Sequence, residues 1–123
     1  MHGISERSVQ LVQRRALLAQ EHGKSIVACG KSLQRRIPSN QYGQSIELCG
    51  LLIQQYARKS LNYAQFLRVQ GLISTEFYSY AVQEYVKASK AYSEAVTIYA
   101  QIVQGKVQGR GVEIGAQSVS PFS

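Results

Sequence analysis

From Ala81 onward the chain can be written in sevens: AVQEYVK (81–87), ASKAYSE (88–94), AVTIYAQ (95–101) and IVQGKVQ (102–108). Ala81, Ala88, Ala95 and Ile102 hold one position of this repeat. Tyr85, Tyr92 and Tyr99 hold the next, with Tyr78 one heptad earlier. A seven-residue repeat keeps one side of an α-helix turned toward its partners, here with small residues alternating with large aromatic ones. This feature predicts a helix over about 75–105 whose Ala/Tyr seam is core or interface. Heptad spacing makes the tyrosines packing residues with their hydroxyls at the rim, in preference to a ligand cage.

Two earlier segments carry the same kind of signal. Between Ser5 and Ile37 the apolar residues Val12, Ala16, Ala19, Ile26, Leu33 and Ile37 alternate by fours and threes, with Gly23 and Gly30 on the same stripe. That spacing is one face of a helix over about 5–37. Ser5 is placed as its N-cap and Glu6 to favour its first turn. Pro38, followed by Ser39 and Asn40, ends the pattern, because the residue before proline resists the helical region. A second helix follows over about 43–70, with Ile46, Cys49, Ile53, Tyr56, Tyr63 and Leu67 on its stripe. Gly71 suits the C′ position. Ser74 is the expected N-cap of the third helix, and Ile73 and Tyr78 are spaced as a hydrophobic staple.

The expected fold class is therefore all-α: an antiparallel bundle of three long amphipathic helices, joined by short connectors, within a domain of residues 1–105. Residues 106–123 are Gly-rich and read as a non-helical tail. At about 1.5 Å per residue, each helix is about 45 Å long. Three such helices make a thin rod with poor surface-to-volume economy, which favours packing against further copies. A homo-oligomer is the expected state. Tyr80, Tyr42 and Phe77 lie off the main stripe and are placed to meet a neighbouring molecule.

Charge is distributed unevenly. The chain carries +7, with fourteen Lys and Arg against seven acids, all of them Glu, and fifteen Gln. Residues 1–37 hold a net +5, whereas residues 75–105 hold a net −1. At about 100° per residue, Arg7, Arg14, Lys24, Lys31 and Arg35 share the sector opposite the apolar stripe of the first helix. Arg36 adds to them at the helix end. Gln10, Gln13, Gln20, Ser25 and Ser32 on the same ridge can hydrogen-bond phosphates or sugars. The ridge reads either as a phosphate-tracking face for DNA or RNA, as an ordinary solvated face, or as a dock for an acidic protein. No aromatic residue interrupts it, so neither base stacking nor sequence readout is expected there.

The remaining chemistry is sparse. Cys29 and Cys49 are each ten residues from Ser39 and are each followed by Gly, so a hairpin brings them to one level. They are a candidate redox pair, or simply two small buried residues at a tight helix crossing. Neither has the neighbours of a metal site. Arg15 and His22 stand at Arg-x6-His spacing, which resembles the motif of HEPN-type RNases. In that family the motif lies on a late helix, and here it lies on the first, so the resemblance covers two residues. The bland alternative is an exposed Arg and a His near a helix midpoint. General acid–base chemistry needs titratable groups converging in a pocket. The scattered Glu residues do not provide that, and no phosphate-cradling loop precedes a helix. No catalytic residue, metal or cofactor is assigned.

The opening residues lack the apolar core of a signal peptide, and no apolar run is long enough to span a bilayer. With two cysteines in a chain of this size, the expected location is cytoplasmic or within a virion. These readings converge on a non-catalytic, self-assembling structural protein that binds nucleic acid without sequence specificity. The alternative is a helical adaptor or chaperone for a protein partner.

Overall fold

The computed structural model describes residues 5–37, 41–69 and 75–105. Three helices account for nearly all of them: α1 (Glu6–Arg36), α2 (Tyr42–Val69) and α3 (Thr75–Val103). The all-α bundle expected from the periodicity is what forms, with each boundary within two residues of its expected place. The proline turn at 38–40, the Gly71 and Ser74 caps and the tail at 106–123 lie outside the described residues.

Local chemistry explains the visible ends. Ser5 is extended (φ −70°, ψ 146°), and its hydroxyl accepts from the Ser8 N–H at 3.0 Å, which satisfies one orphan donor of the first turn. The α1 ladder closes with the Ile37 N–H donating to the Leu33 carbonyl at 2.8 Å. Beyond Val103 a turn ends on Gly105, whose φ of 79° is a conformation that L side chains resist. Its N–H donates to the Ile102 carbonyl at 2.9 Å.

All three helices bury residues at strict intervals of seven. On α1 the series are Val9, Ala16, Gly23, Gly30 and Val12, Ala19, Ile26, Leu33, all buried. On α2 they are Gly43, Gly50, Ala57, Ala64 and Ile46, Ile53, Ser60, Leu67, again all buried. On α3, Ala81, Ala88, Ala95 and Ile102 are buried, while Tyr78, Tyr85, Tyr92 and Tyr99 are half-buried against the core. The small-residue series of α2 is the element the apolar stripe did not reveal, because glycine and alanine contribute little hydropathy.

Those small residues set the α1–α2 distance. A Cβ on Gly30 would sit 2.5 Å from the Glu47 nitrogen, and one on Gly50 2.6 Å from the Val27 nitrogen. Gly23 faces the Gly50 carbonyl, and Gly43 faces the Gly30 carbonyl. Two Gly-x6-Gly pairs running in opposite directions thus let backbone rest on backbone. Arg68 pins the far end of this antiparallel pair, with one guanidinium nitrogen 2.9 Å from Glu6 Oε2 and another 2.9 Å from Gln13 Oε1.

α3 packs antiparallel to α2 and therefore parallel to α1. Ser60 takes a core position on α2 and donates to the Ala81 carbonyl at 2.7 Å, so its hydroxyl is buried without loss. α2 lies along both neighbours, whereas α1 and α3 meet over a much shorter stretch, which leaves a groove between them. At the start of α3, Phe77 packs on Phe66 (4.6 Å between centroids) and Tyr80 on Tyr63 (5.3 Å). Phe77 and Tyr80 thus join an aromatic cluster within the chain, because α2 supplies rings at the matching level, while Tyr80 remains 40% exposed. Tyr42 is exposed.

Candidate nucleic-acid interface

The six basic residues singled out in the sequence, Arg7, Arg14, Lys24, Lys31, Arg35 and Arg36, are all exposed on α1. Their position follows from packing. The glycine series turns one side of α1 to α2, and Ala19 and Ile26 turn an adjoining side toward α3 and the core. The remaining sector can only face solvent. Arg7 to Arg35 then span about 42 Å along the helix at 1.5 Å per residue.

Few acids oppose this face. Lys24 is bridged by Glu21 one turn away at 3.3 Å, with both side chains about two-thirds exposed. Such a pair contributes little and yields readily to another anion. Glu6 is drawn aside by Arg68. Among the described residues, no ion pair engages Arg7, Arg14, Lys31, Arg35 or Arg36. Arg35 and Arg36 also occupy the last turn of α1, where the carbonyl end of the helix favours cations. The ridge therefore offers a row of guanidinium and ammonium groups, with Gln10 and Ser25 exposed among them.

The other sequence candidates fall elsewhere. Tyr85, Tyr92 and Tyr99 pack against the main core cluster, and Tyr78 against a smaller one formed by Val9, Ala64 and Leu67. Cys29 and Cys49 are both free thiols. The Cys49 thiol points toward α3 and donates to Glu94 Oε1 at 3.7 Å. Burial, reinforced by the Glu94 carboxylate, pushes it from an ordinary 9.0 up to about 11. Burial also raises Cys29, partly offset by the charge of Arg36. Both thiols are held in the unreactive, protonated form.

Arg15 and His22 are exposed but lie off the basic ridge, on the side of α1 that borders the groove. Both line a cavity between α1 and α3, and the His22 ring lies 5.4 Å from that of Tyr92. The sequence reading did not anticipate this juxtaposition with α3. Among the described residues no cluster of His, Cys and Glu has the makings of a metal site. None of the helices is long and apolar enough to cross a membrane.

On α2, the face turned away from both neighbours carries exposed Leu48, Leu51 and Val69, the last 73% exposed, and Phe66, stacked on Phe77 of α3, borders it with part of its ring exposed. Arg58 and Lys59 sit between the two apolar ends of that face. The sequence reading missed this stripe, because only the docking of α1 and α3 decides which side of α2 remains uncovered. Comparison with protein-family models, with curated proteins and with solved structures returns no match for the chain.

Proposed function

We propose that this protein is a non-catalytic, self-associating helical protein that binds nucleic acid through the outer face of α1, without reading sequence. The observation that carries this reading is the row of cations on that face, of which only Lys24 has an ion-pair partner among the described residues. Phosphate contacts from a rigid helix supply affinity by releasing counterions, and they carry no base information. The ridge has no aromatic ring to stack a base and does not present the helix N-terminus to a groove. Sequence indifference follows.

Self-association is supported by the apolar residues left uncovered on α2. Their arrangement also constrains the geometry. Two α2 helices crossing antiparallel about their midpoints would bring Arg58 and Lys59 of both copies together, which like-charge repulsion opposes. A head-to-tail contact between unlike surfaces avoids this and propagates along a ligand instead of closing as a dimer.

The test is retention of mixed-sequence DNA and RNA oligonucleotides across a salt series. With five ridge residues engaged, log K against log[salt] is expected to slope at about −4 to −5. Changing Lys24, Lys31 and Arg35 together to Gln should remove about 3 of that slope while the helical circular dichroism persists. Absence of retention at low salt eliminates the reading. Light scattering with and without the oligonucleotide reports assembly in the same samples. A stable 1:1 complex with an acidic protein, and no nucleic acid bound, would favour the adaptor alternative.

A further inference from the structure

The cavity between α1 and α3 has an identifiable cause. In the α1 series Val12, Ala19, Ile26, Leu33, alanine takes one place among larger side chains. Ala88 of α3 lies at the same level, and buried Ile53 of α2 completes the floor. Two short side chains face one another where a branched one would fill the gap. The result is a half-open cavity of about 300 Å³. Cores are ordinarily close-packed, so a space of this size beside fully buried alanine and isoleucine is a site for something else. It stands at the small end of the range of roughly 300–1,000 Å³ typical of ligand pockets.

The lining specifies the chemistry. Tyr85 and Tyr92 form the α3 wall, and the His22 ring against Tyr92 extends the aromatic surface toward α1. The exposed part of the lining is mixed, with Leu18 beside polar Arg15, Ser89 and Ser93. Arg15 brings a guanidinium with no ion pair among the described residues, and Ser89 and Ser93 bring hydroxyls. No carboxylate lines the cavity, so its one permanent charge is positive. A planar fork of N–H donors suits a carboxylate better than a point charge does.

We propose that the α1–α3 cavity binds a small aromatic carboxylate, its ring over Ala19, Ile53 and Ala88 between the tyrosines, and its charge at Arg15. The proposal is separate from the nucleic-acid reading, because Arg15 lies off the basic ridge and none of the ridge residues lines the cavity.

Titration calorimetry of the full chain with 2-naphthoate tests it, alongside the neutral isostere 2-naphthalenemethanol and inorganic phosphate. Naphthoate is expected to bind at least about tenfold more tightly than the alcohol, and phosphate alone not at all. Arg15→Gln, an exposed substitution that leaves the core intact, should reduce naphthoate affinity about tenfold and leave the alcohol unchanged. Ala19→Leu restores a large residue to the α1 series; it should abolish naphthoate binding and raise the melting temperature by filling the space. The triple Lys24, Lys31, Arg35→Gln variant should bind naphthoate like the parent. Absence of naphthoate binding at millimolar concentration overturns the proposal. So does binding that survives both Arg15→Gln and Ala19→Leu. Self-association that naphthoate does not perturb and that Ala19→Leu abolishes would assign the cavity to a second copy, and overturns it as well.

Discussion

Replacing Gly30 with alanine sets two effects of opposite sign against each other. In a helix interior alanine is favoured over glycine by about 1 kcal/mol, so at an exposed site the change stabilises. At Gly30 the new Cβ would lie 2.5 Å from the Glu47 nitrogen, 2.7 Å from the Gly43 carbonyl oxygen and 2.8 Å from the Glu47 Cα. All three are backbone atoms that no rotamer change can move. Ordinary contact begins at 3.4 Å, so the shortfall is 0.9 Å and α1 and α2 must part. Overpacking of this kind costs about 1–3 kcal/mol. A gap approaching 1 Å also forfeits a quarter to a half of each dispersion contact along the seam. Set against the propensity gain, the net expectation is a loss of about 1 kcal/mol, or a melting temperature lower by about 4–8 °C. Thermal unfolding followed by far-UV circular dichroism measures it. Ala28→Gly on the exposed side of α1 serves as the reverse control and should cost about 1 kcal/mol. Gly50→Ala should resemble Gly30→Ala, since its Cβ meets the Val27 nitrogen at 2.6 Å. Gly43→Ala should cost less than either, because its contacts, the flexible Gln34 Cγ at 3.0 Å and the backbone Gln34 nitrogen and Gly30 carbonyl oxygen at 3.1 Å, fall short of ordinary contact by only a few tenths of an ångström. If Gly30→Ala and Gly50→Ala both raise the melting temperature, the account of the α1–α2 seam is wrong.

Three further predictions rest on single contacts. Glu84 is buried, with Oε2 on Lys87 at 3.0 Å and Oε1 without a hydrogen-bond partner among the described residues, so Glu84→Met should raise stability by about 1 kcal/mol in denaturant titrations. A lower midpoint would show that the carboxylate contributes more than it costs. Ser60→Ala removes the buried bond to the Ala81 carbonyl and should cost about 1 kcal/mol, with an unchanged denaturant slope. Cys49 holds its proton more tightly folded than unfolded, so its alkylation should be slow at pH 8 and accelerate toward pH 11. The stability this contributes is complete below pH 9.0 and declines as pH rises from 9.0 toward 11. Equal alkylation rates for native and denatured protein at pH 8 would contradict the burial argument.

The sequence by itself determined the helices and the apolar stripe each one buries, though not the glycine and alanine series beside that stripe on α2. Apolar period is a local property: Val12, Ile26 and Leu33, or Ala81, Ala88 and Ala95, must share a face wherever the chain goes. The Ser5 cap follows from equally short-range hydrogen bonding. The exposure of Arg7, Arg14, Lys24, Lys31 and Arg35 was legible too, since whatever lies opposite a buried stripe faces solvent. What remained for the tertiary structure was everything that depends on the level at which helices meet. Whether Gly30 rests on Gly43, whether Cys49 faces Glu94, and whether Phe77 finds Phe66 are matters of inter-helix register. The cavity at Arg15 and His22 is decided in the same way, because Ala19 leaves a space only if Ala88 arrives opposite it. Period is fixed by each helix alone, whereas register is fixed by the sum of contacts along two of them.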